Sequence, residues 1–239
     1  MPLTAKTDIY PLSWFGEGIL AAFSGRWYDA RHRDDFLQAV GIKKEHLKLP
    51  KQEHTDRVGI LTAEEDHDLT SSMDALLTDQ SDIALGILTA DCIPVFVAAP
   101  SEGVVGLIHA GWRGLKKGII KKAIGLAQDR WHLPGSKIKV ALGPAIRSCC
   151  YTVSAEFADY FPRHYIPATE VEKTQGCGGG RMDLIAEAKE QLSLSEILAE
   201  NVFDSGICTS CSNQQFYSAR REKGIRERIL SVIKLVEVP

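Results

Sequence analysis

The chain has 239 residues, of which 44% are hydrophobic and 25% charged, so it can bury a sizeable core and general disorder is excluded. Its formal net charge of -3 gives no overall basic field, and we therefore expect no nucleic-acid partner. The longest apolar stretch, residues 83–100, is interrupted by Asp91 and Pro94, which favours two buried strands over a membrane span.

In chain order, the first predicted elements are a strand over 19–23, a helix over 31–40 and a polar loop over 66–72. Three almost wholly apolar runs then predict strands that are covered on both faces: 83–88, 93–99 and 104–108. The spacing of apolar residues over 115–131, with lysines mostly opposite, predicts one amphipathic helix. A short strand is expected over 138–142.

The C-terminal part predicts two helices and two strands. The helices are 154–160 and 184–198, the second capped by Asp183, and the strands are 202–207 and 229–238. A glycine-rich loop over 176–180 precedes the second helix. Without an internal repeat, a long linker or a low-complexity tract, we expect one α/β or α+β domain over residues 1–239.

Two reactive side chains lie at the ends of the apolar runs. Cys92 follows the first run, in Thr-Ala-Asp-Cys, and His109 follows the third, in His-Ala-Gly-Trp-Arg-Gly. Strand ends are where α/β proteins commonly build active sites. A thiolate and an imidazole act together as nucleophile and base, or as ligands of a soft or borderline metal.

Six cysteines are present, and the N-terminus lacks the basic and apolar regions of a signal peptide. We therefore expect a cytoplasmic, reducing location with free thiols. Cys208 and Cys211 form a lone CxxC, which is weak support for a metal or redox site, and Cys149-Cys150 lacks the usual ligand spacing. Besides Cys92, the cysteines are interpreted as small buried residues: Cys149, Cys150, Cys177, Cys208 and Cys211.

Other candidate residues carry weaker signals. His54 lies in a polar stretch before the apolar residues 58–61, where a histidine is usually solvated. Trp112-Arg113 could stack on a base or anchor an anion. A C-terminal arginine cluster could hold a phosphate: Arg220, Arg221, Arg226 and Arg228. The chain has no P-loop, no GxGxxG after a strand and no HExxH.

Five motifs occur in an order that resembles one family. They are Thr89-Ala-Asp-Cys92, His109-Ala-Gly-Trp-Arg-Gly114, Gly143-Pro-Ala-Ile-Arg-Ser-Cys-Cys-Tyr-Thr-Val153, Cys208-Thr-Ser-Cys211 and Phe216-Tyr-Ser-Ala-Arg-Arg221. This arrangement is similar to the YfiH-like or laccase-domain (multicopper polyphenol oxidase) proteins, now regarded as purine nucleoside phosphorylases. The resemblance extends from about His54 to the C-terminus and implies a layered α/β fold with packed mixed sheets flanked by helices.

The resemblance implies a metal site formed by His54, Cys92 and His109. Two imidazoles and a thiolate suit Zn²⁺ and leave a fourth position open, and copper accepts the same ligands. Oxidase chemistry with several coppers needs more histidines in HxH pairs. No two of the seven histidines are adjacent or separated by one residue: His32, His46, His54, His67, His109, His132 and His164. The sequence therefore gives little support to a multicopper oxidase, and the resemblance implies zinc, with copper possible.

The implied activity is phosphorolysis of adenosine, inosine or guanosine, with adenosine deamination and methylthioadenosine cleavage as further activities. Deamination uses a water activated by zinc, and phosphorolysis needs an anchored phosphate. Arg113, Arg26 and the C-terminal arginines are candidate phosphate ligands, and Gln52 is a candidate substrate ligand. Asp91 is a candidate general base, although a carboxylate beside a buried cysteine also serves to orient backbone. Cys92 and His109 are the other candidate catalytic residues.

Three alternatives remain open at the level of sequence. A cysteine-type amide hydrolase would use Cys92 as nucleophile and His109 as base without a metal. A copper-dependent polyphenol oxidase would bind copper and consume oxygen. A non-catalytic binding protein would keep the fold, and the short segment 24–51 favours that reading. We expect a monomer that takes purine nucleosides and phosphate, with no membrane partner; the sequence does not rank the nucleosides.

Overall fold

Two large β-sheets form the centre of the fold in the computed structural model, which describes residues 8–63, 71–169 and 179–237. The first sheet has the order β1-β2-β14-β6-β3. Its strands are β1 (Ile9–Pro11), β2 (Ile19–Ser24), β3 (Leu47–Lys48), β6 (Ala84–Thr89) and β14 (Ile229–Leu235). Only β3 pairs in parallel, with β6, so this sheet is mixed.

The second sheet contains six strands in the order β13-β9-β7-β8-β5-β4. They are β4 (Val58–Leu61), β5 (Ala75–Thr78), β7 (Ile93–Ala99), β8 (Val104–Ala110), β9 (Lys139–Leu142) and β13 (Val202–Asp204). The edge pairs β4–β5 and β13–β9 are parallel and the inner pairs antiparallel. A small third sheet, β10-β12-β11, joins β10 (Thr152–Val153), β11 (Tyr165–Pro167) and β12 (Gly180–Met182).

The two large sheets pack against each other through apolar side chains of the continuous apolar runs described above. Phe96 and Leu107 of the six-stranded sheet are fully buried in one cluster with Leu85 and Ile87 of the five-stranded sheet. Alternate residues of β7, such as Val95 and Val97, face the opposite way into a second cluster under the helices. Both faces of β7 and β8 are therefore covered, as the sequence predicts.

Helices cover the outer faces of the two sheets. They are α1 (Arg33–Ala39), α2 (Trp112–Lys116), α3 (Ile119–Trp131), α4 (Phe157–Tyr160) and α5 (Leu184–Ser193). Residues of α1 pack on the five-stranded sheet, and residues of the other four join the cluster on the six-stranded sheet. The layered α/β fold with mixed sheets is confirmed. No helix within the described ranges is both long and apolar enough to span a bilayer.

The bounds of every predicted helix differ from those in the structure; α1 and α4 are only shorter than predicted, since they begin at Arg33 and Phe157 rather than at residues 31 and 154. The single helix expected over 115–131 is wrong, because Gly118 adopts a left-handed conformation with φ 75° and separates α2 from α3. The helix after Asp183 ends at Ser193 rather than at residue 198. Its start is as predicted, since the Asp183 carboxylate accepts hydrogen bonds from the Ile185 and Ala186 N–H groups.

Candidate metal centre

Cys92 and His109 meet because β7 and β8 form an antiparallel pair. Cys92 directly precedes β7, and His109 is the penultimate residue of β8, opposite Pro94 in the register. His54 approaches from the loop between β3 and β4, and its Nε2 lies 3.7 Å from Cys92 Sγ. One donor atom from each of the three residues lies within 4.8 Å of the other two. The structure thus brings together the three residues predicted to bind a metal.

A buried carboxylate holds two of these residues in place. Asp74 is fully buried at the start of β5, and its Oδ1 lies 2.7 Å from His109 Nδ1. The same side chain accepts hydrogen bonds from the N–H groups of His54 (3.0 Å) and Thr55 (2.6 Å) and from Thr55 Oγ1 (2.8 Å). These bonds fix the loop in which His54 takes a left-handed backbone conformation, with φ 56°.

Charge interactions at this site favour a thiolate. Burial raises the pKa of the Cys92 thiol, but the His109 charge and hydrogen bonds from both histidines lower it overall. Burial lowers the pKa of His109, yet the Cys92 and Asp74 charges raise it overall. Burial raises the pKa of the Asp74 carboxyl, but hydrogen bonds from His109 and Thr55 lower it, and the overall value falls to about 2. Cys92 is therefore ready to bind a cation or to act as a nucleophile.

Gly111 shows how closely the backbone approaches the cluster. A Cβ at this position would lie 2.8 Å from both Cys92 Sγ and His54 Cδ2, closer than side-chain atoms can come. Glycine is therefore needed where the chain passes from β8 into α2. The glycine of the His-Ala-Gly-Trp-Arg-Gly motif thus leaves space for two of the three candidate ligands.

Asp91 lies in the tight turn that joins the two large sheets. Its φ is 97°, a conformation that non-glycine residues rarely adopt. Its carboxylate accepts hydrogen bonds from Thr209 Oγ1 and from the Arg220 N–H, each at 2.7 Å. Both oxygens thus have protein partners, and they tie the turn that presents Cys92 to the segment 209–220.

Three further predicted site residues differ in whether their side chains already make hydrogen bonds or ion pairs within the protein. The Gln52 amide exchanges two hydrogen bonds with the Leu88 backbone, at 2.9 and 2.8 Å. Arg26 makes a bidentate ion pair with Glu222, at 2.9 and 2.8 Å. Arg113 is exposed, with its guanidinium 4.4 Å from the centre of the Trp112 ring. Of the three, only Arg113 is without a hydrogen bond or ion pair to a described residue.

Sequence reasoning missed Asp74 and Tyr151 as parts of this site, and it named Arg220 only as one of the C-terminal arginines that could bind phosphate. Asp74 had a readable signal, since it is an acid directly before the apolar residues 75–77. Burial raises the pKa of Tyr151 to about 12, and the Cys92 and Asp91 charges add to that rise. The Arg220 guanidinium lies 4.8 Å from the centre of the Tyr151 ring. Tyr151 thus interacts electrostatically with Cys92, and Arg220 packs over the Tyr151 ring.

The exposure of the remaining cysteines differs from the sequence interpretation. Cys149 and Cys211 are exposed and Cys150 is partly exposed, so the prediction of small buried residues is wrong for them; only Cys208 is buried. Cys177 lies outside the described residues. The four described sulfurs lie within 4.8 Å of one another, because the segments around Ala145 and Cys208 pair through a parallel bridge.

Comparison with known proteins places this arrangement in a family. A family model described as multi-copper polyphenol oxidoreductase laccase matches residues 30–236. The chain is 38% identical over 166 residues to a protein named purine nucleoside phosphorylase YlmD from Geobacillus stearothermophilus, an alignment that covers 67% of this chain and 59% of that protein. Less than two thirds of that relative is therefore matched.

Two further similarities agree. Over 190 residues the chain is 30% identical to a protein named adenosine deaminase RL5 from an unknown prokaryotic organism, covering 76% of this chain and 72% of that one. The crystal structure of YlmD from Geobacillus stearothermophilus superposes with a TM-score of 0.81 at 28% identity, covering 92% of this chain and 93% of the other. The chain therefore belongs to the multi-copper polyphenol oxidoreductase laccase family, which confirms the resemblance found in its sequence.

Proposed function

We propose that this chain is a zinc-dependent purine nucleoside phosphorylase that also deaminates adenosine. The observation that carries the proposal is the convergence of His54, Cys92 and His109. Two imidazoles and one thiolate are a donor set typical of catalytic zinc, because three protein ligands leave a fourth position for water or substrate. The names of the relatives, a phosphorylase and an adenosine deaminase, support both activities.

The residues around the three ligands fit a zinc ion. Zinc would displace the Nε2 proton that the Cys92 and Asp74 charges favour on His109, and the Nδ1–H that remains donates to Asp74, which is the usual carboxylate–histidine arrangement behind zinc. The Cys92 thiol is already shifted towards the thiolate form that a metal requires. When bound, zinc would lower the pKa of a coordinated water and polarise a substrate atom.

Phosphorolysis also requires an anion site near the centre. Arg113 is the best candidate among the predicted arginines, because it is exposed, is not paired with any described carboxylate, and lies two residues after Gly111. Its positive charge lowers the pKa of Tyr151, whereas the Cys92 charge raises it, so both charges act at the same phenol. Arg26 would first have to leave Glu222.

Asp91 stays a predicted general base. Its hydrogen bonds to Thr209 and Arg220 occupy both carboxylate oxygens, and proton transfer would require one of them to be released. The bonds support a positioning role for Asp91 in the turn before Cys92. Gln52, with its amide paired to Leu88, is in the same way suited to hold strand β6 beside the His54 loop.

A cysteine hydrolase is the second candidate, and one observation favours it. Cys92, His109 and Asp74 are arranged in the order of nucleophile, base and orienting carboxylate. His54 argues against this function, because its Nε2 beside the sulfur has no role in such a triad but is a third ligand for a metal. The two functions predict opposite responses to metal removal.

The decisive experiment measures products from inosine and adenosine with zinc-loaded and chelator-treated protein, each with and without phosphate. We expect hypoxanthine and ribose 1-phosphate only with zinc and phosphate together, and inosine from adenosine with zinc alone. Hypoxanthine at an equal rate without phosphate would indicate a nucleosidase. Activity that survives metal removal would favour the hydrolase, and oxygen consumption with a phenol and bound copper would favour the oxidase.

A matched pair of variants tests the anion site. Arg113→Ala should raise the KM for phosphate and leave adenosine deamination nearly unchanged, since deamination needs no phosphate. Lys117→Ala removes an exposed cation four residues away and serves as the control. Equal phosphate KM values for the two variants would exclude Arg113 as a phosphate ligand.

A further inference from the structure

The segment 149–150 and the segment 208–211 bring four thiols together outside the His54–Cys92–His109 centre. The Sγ–Sγ distances are 3.8 Å for Cys149–Cys150, 3.7 Å for Cys149–Cys211 and 3.4 Å for Cys150–Cys211. Cys208 completes the group, with all four sulfurs within 4.8 Å of one another. We call this group the four-cysteine cluster.

These separations match the edges of a metal–thiolate tetrahedron. Zinc binds thiolates at about 2.3 Å, and a tetrahedral arrangement then places the sulfurs roughly 3.8 Å apart. The three measured separations lie at or slightly below that value. A disulfide would need two sulfurs at about 2.0 Å, so the observed spacing fits four ligands around one ion and not a bonded pair.

The backbone around Cys208 has the character of a metal-binding turn. The backbone N–H groups of Cys211 and Arg147 are hydrogen-bonded to the Cys208 sulfur. N–H donors aimed at a sulfur stabilise a thiolate, which is the form that binds metal. The Cys-x-x-Cys turn is closed by Arg221, whose Nη1 donates to the carbonyls of Thr209 (2.7 Å) and Ser210 (2.8 Å).

Without a cation, four adjacent thiols oppose one another's ionisation. The Cys211 sulfur lies 3.4 Å from that of Cys150 and 3.7 Å from that of Cys149, so a negative charge on one sulfur would repel a charge on its neighbours. Cys149 and Cys211 are also exposed, and exposed thiols at such short distances are open to oxidation. A bound divalent cation would remove both problems by neutralising the thiolates and shielding the sulfurs.

We propose that Cys149, Cys150, Cys208 and Cys211 bind a second, structural zinc ion. Four protein ligands leave no open position, which is the pattern of structural zinc sites. The ion would join the loop after β9 to the segment after β13, where the β9–β13 pairing and the Arg147–Asp204 ion pair already hold the two parts of the chain together.

This second site would stabilise the candidate catalytic centre from outside. Thr209, between the two ligands of the Cys-x-x-Cys turn, is fully buried and donates to the Asp91 carboxylate. Arg220, further along the same segment, donates its backbone N–H to Asp91 and its guanidinium to the Thr152 carbonyl at 2.6 Å. The zinc therefore fixes the turn that supports Asp91 and, next to it, Cys92.

Zinc content of reduced, chelator-free protein tests the proposal by simple counting. We expect two zinc ions per chain in the wild type, one in Cys92→Ala, one in Cys208→Ser:Cys211→Ser and none in the triple variant. Ser210→Ala alters the same turn without removing a thiol, and it should retain two. The counts separate the two sites, so loss of the His54–Cys92–His109 site leaves this proposal intact.

Cobalt replacement identifies the ligands without depending on cysteine variants of the cluster. In Cys92→Ala, the one remaining cobalt should show intense thiolate-to-cobalt charge-transfer absorption, and X-ray absorption of the zinc form should show only sulfur neighbours at about 2.3 Å. No zinc in Cys92→Ala, unchanged zinc in Cys208→Ser:Cys211→Ser, a disulfide within the cluster of freshly reduced protein, or iron in place of zinc would each overturn the proposal.

Discussion

The His54–Cys92–His109 centre and the four-cysteine cluster differ in nearly every feature that distinguishes a catalytic from a structural metal site. The first has three donors, lies at the ends of buried strands, and is backed by the buried carboxylate of Asp74. The second has four donors, lies between loops, and includes two exposed residues, Cys149 and Cys211. Three donors leave a position for chemistry, whereas four close the coordination shell.

The comparison also shows how each site is held in place. Strand register positions Cys92 and His109, and a carboxylate network positions His54. At the four-cysteine cluster, the β9–β13 pairing, one parallel bridge and the Arg147–Asp204 ion pair hold the two segments, and the ion would add bonds between the loops that carry the thiols. Metal removal should therefore abolish activity at the first site and loosen structure at the second.

The largest expected effect comes from removing the thiolate at the first site. Cys92→Ala leaves two imidazoles, so we expect zinc loss from that site and a fall in inosine phosphorolysis of at least about 100-fold, since outer partners alone are worth 10–100-fold. Metal content and steady-state rates check this, with circular dichroism as the folding control. Full activity in folded Cys92→Ala would mean that Cys92 is only a packed residue.

Asp74→Asn tests the carboxylate that distinguishes the two sites. The amide keeps the size but loses the charge that holds His109 and the His54 loop, and we expect a 10–100-fold loss of zinc affinity or activity. Asp56→Asn removes a carboxylate that pairs with Lys122 on the surface and is the matched control. Equal zinc affinity in the two variants would remove Asp74 from the site.

A pair of glycine substitutions measures the steric limit at the first site. In Gly111→Ala the new methyl group would press on Cys92 and His54, and we expect about a 10-fold weaker zinc affinity, at the lower end of outer-partner effects. Gly125→Ala, in α3, meets no atom within 4 Å and should stabilise the protein by up to about 1 kcal/mol. Unchanged zinc affinity in Gly111→Ala would show that the backbone can retreat.

The smallest effect concerns the segment that links the two sites. Hydrogen bonds from Arg26, and after them from Arg221, lower the pKa of the Glu222 carboxyl, whereas burial raises it. The overall result is a fall from 4.5 to about 2. A lowered carboxyl pKa stabilises the fold fully above about pH 4.5, and that stabilisation disappears as the pH falls towards 2.

We therefore expect Glu222→Gln to be less stable than the wild type by about 1 kcal/mol at pH 7, because the Glu222 and Arg26 side chains are both partly exposed. The difference should vanish near pH 2. Urea unfolding at several pH values measures it, with exposed Glu200→Gln as the control. A difference that persists at pH 2 would mean that the ion pairs are not its source.

Much of the fold was readable from local patterns. The apolar runs before and after Cys92 are strands β6, β7 and β8, and Asp183 begins a helix as predicted. The break between α2 and α3 was not readable, because the apolar spacing continues across Gly118 and only its positive φ interrupts the helix. Periodicity reports which face is buried, and it does not report a local change of backbone direction.

The sequence by itself determined that Cys92 and His109 stand at strand ends, and resemblance to a family added His54. Only the tertiary structure decided that these side chains converge, that Asp74 lies behind them, and that Cys149 and Cys150 meet Cys208 and Cys211. Spacing along the chain encodes periodicity within one element. Contacts between elements depend on sheet register and on how the layers pack, which no local pattern specifies.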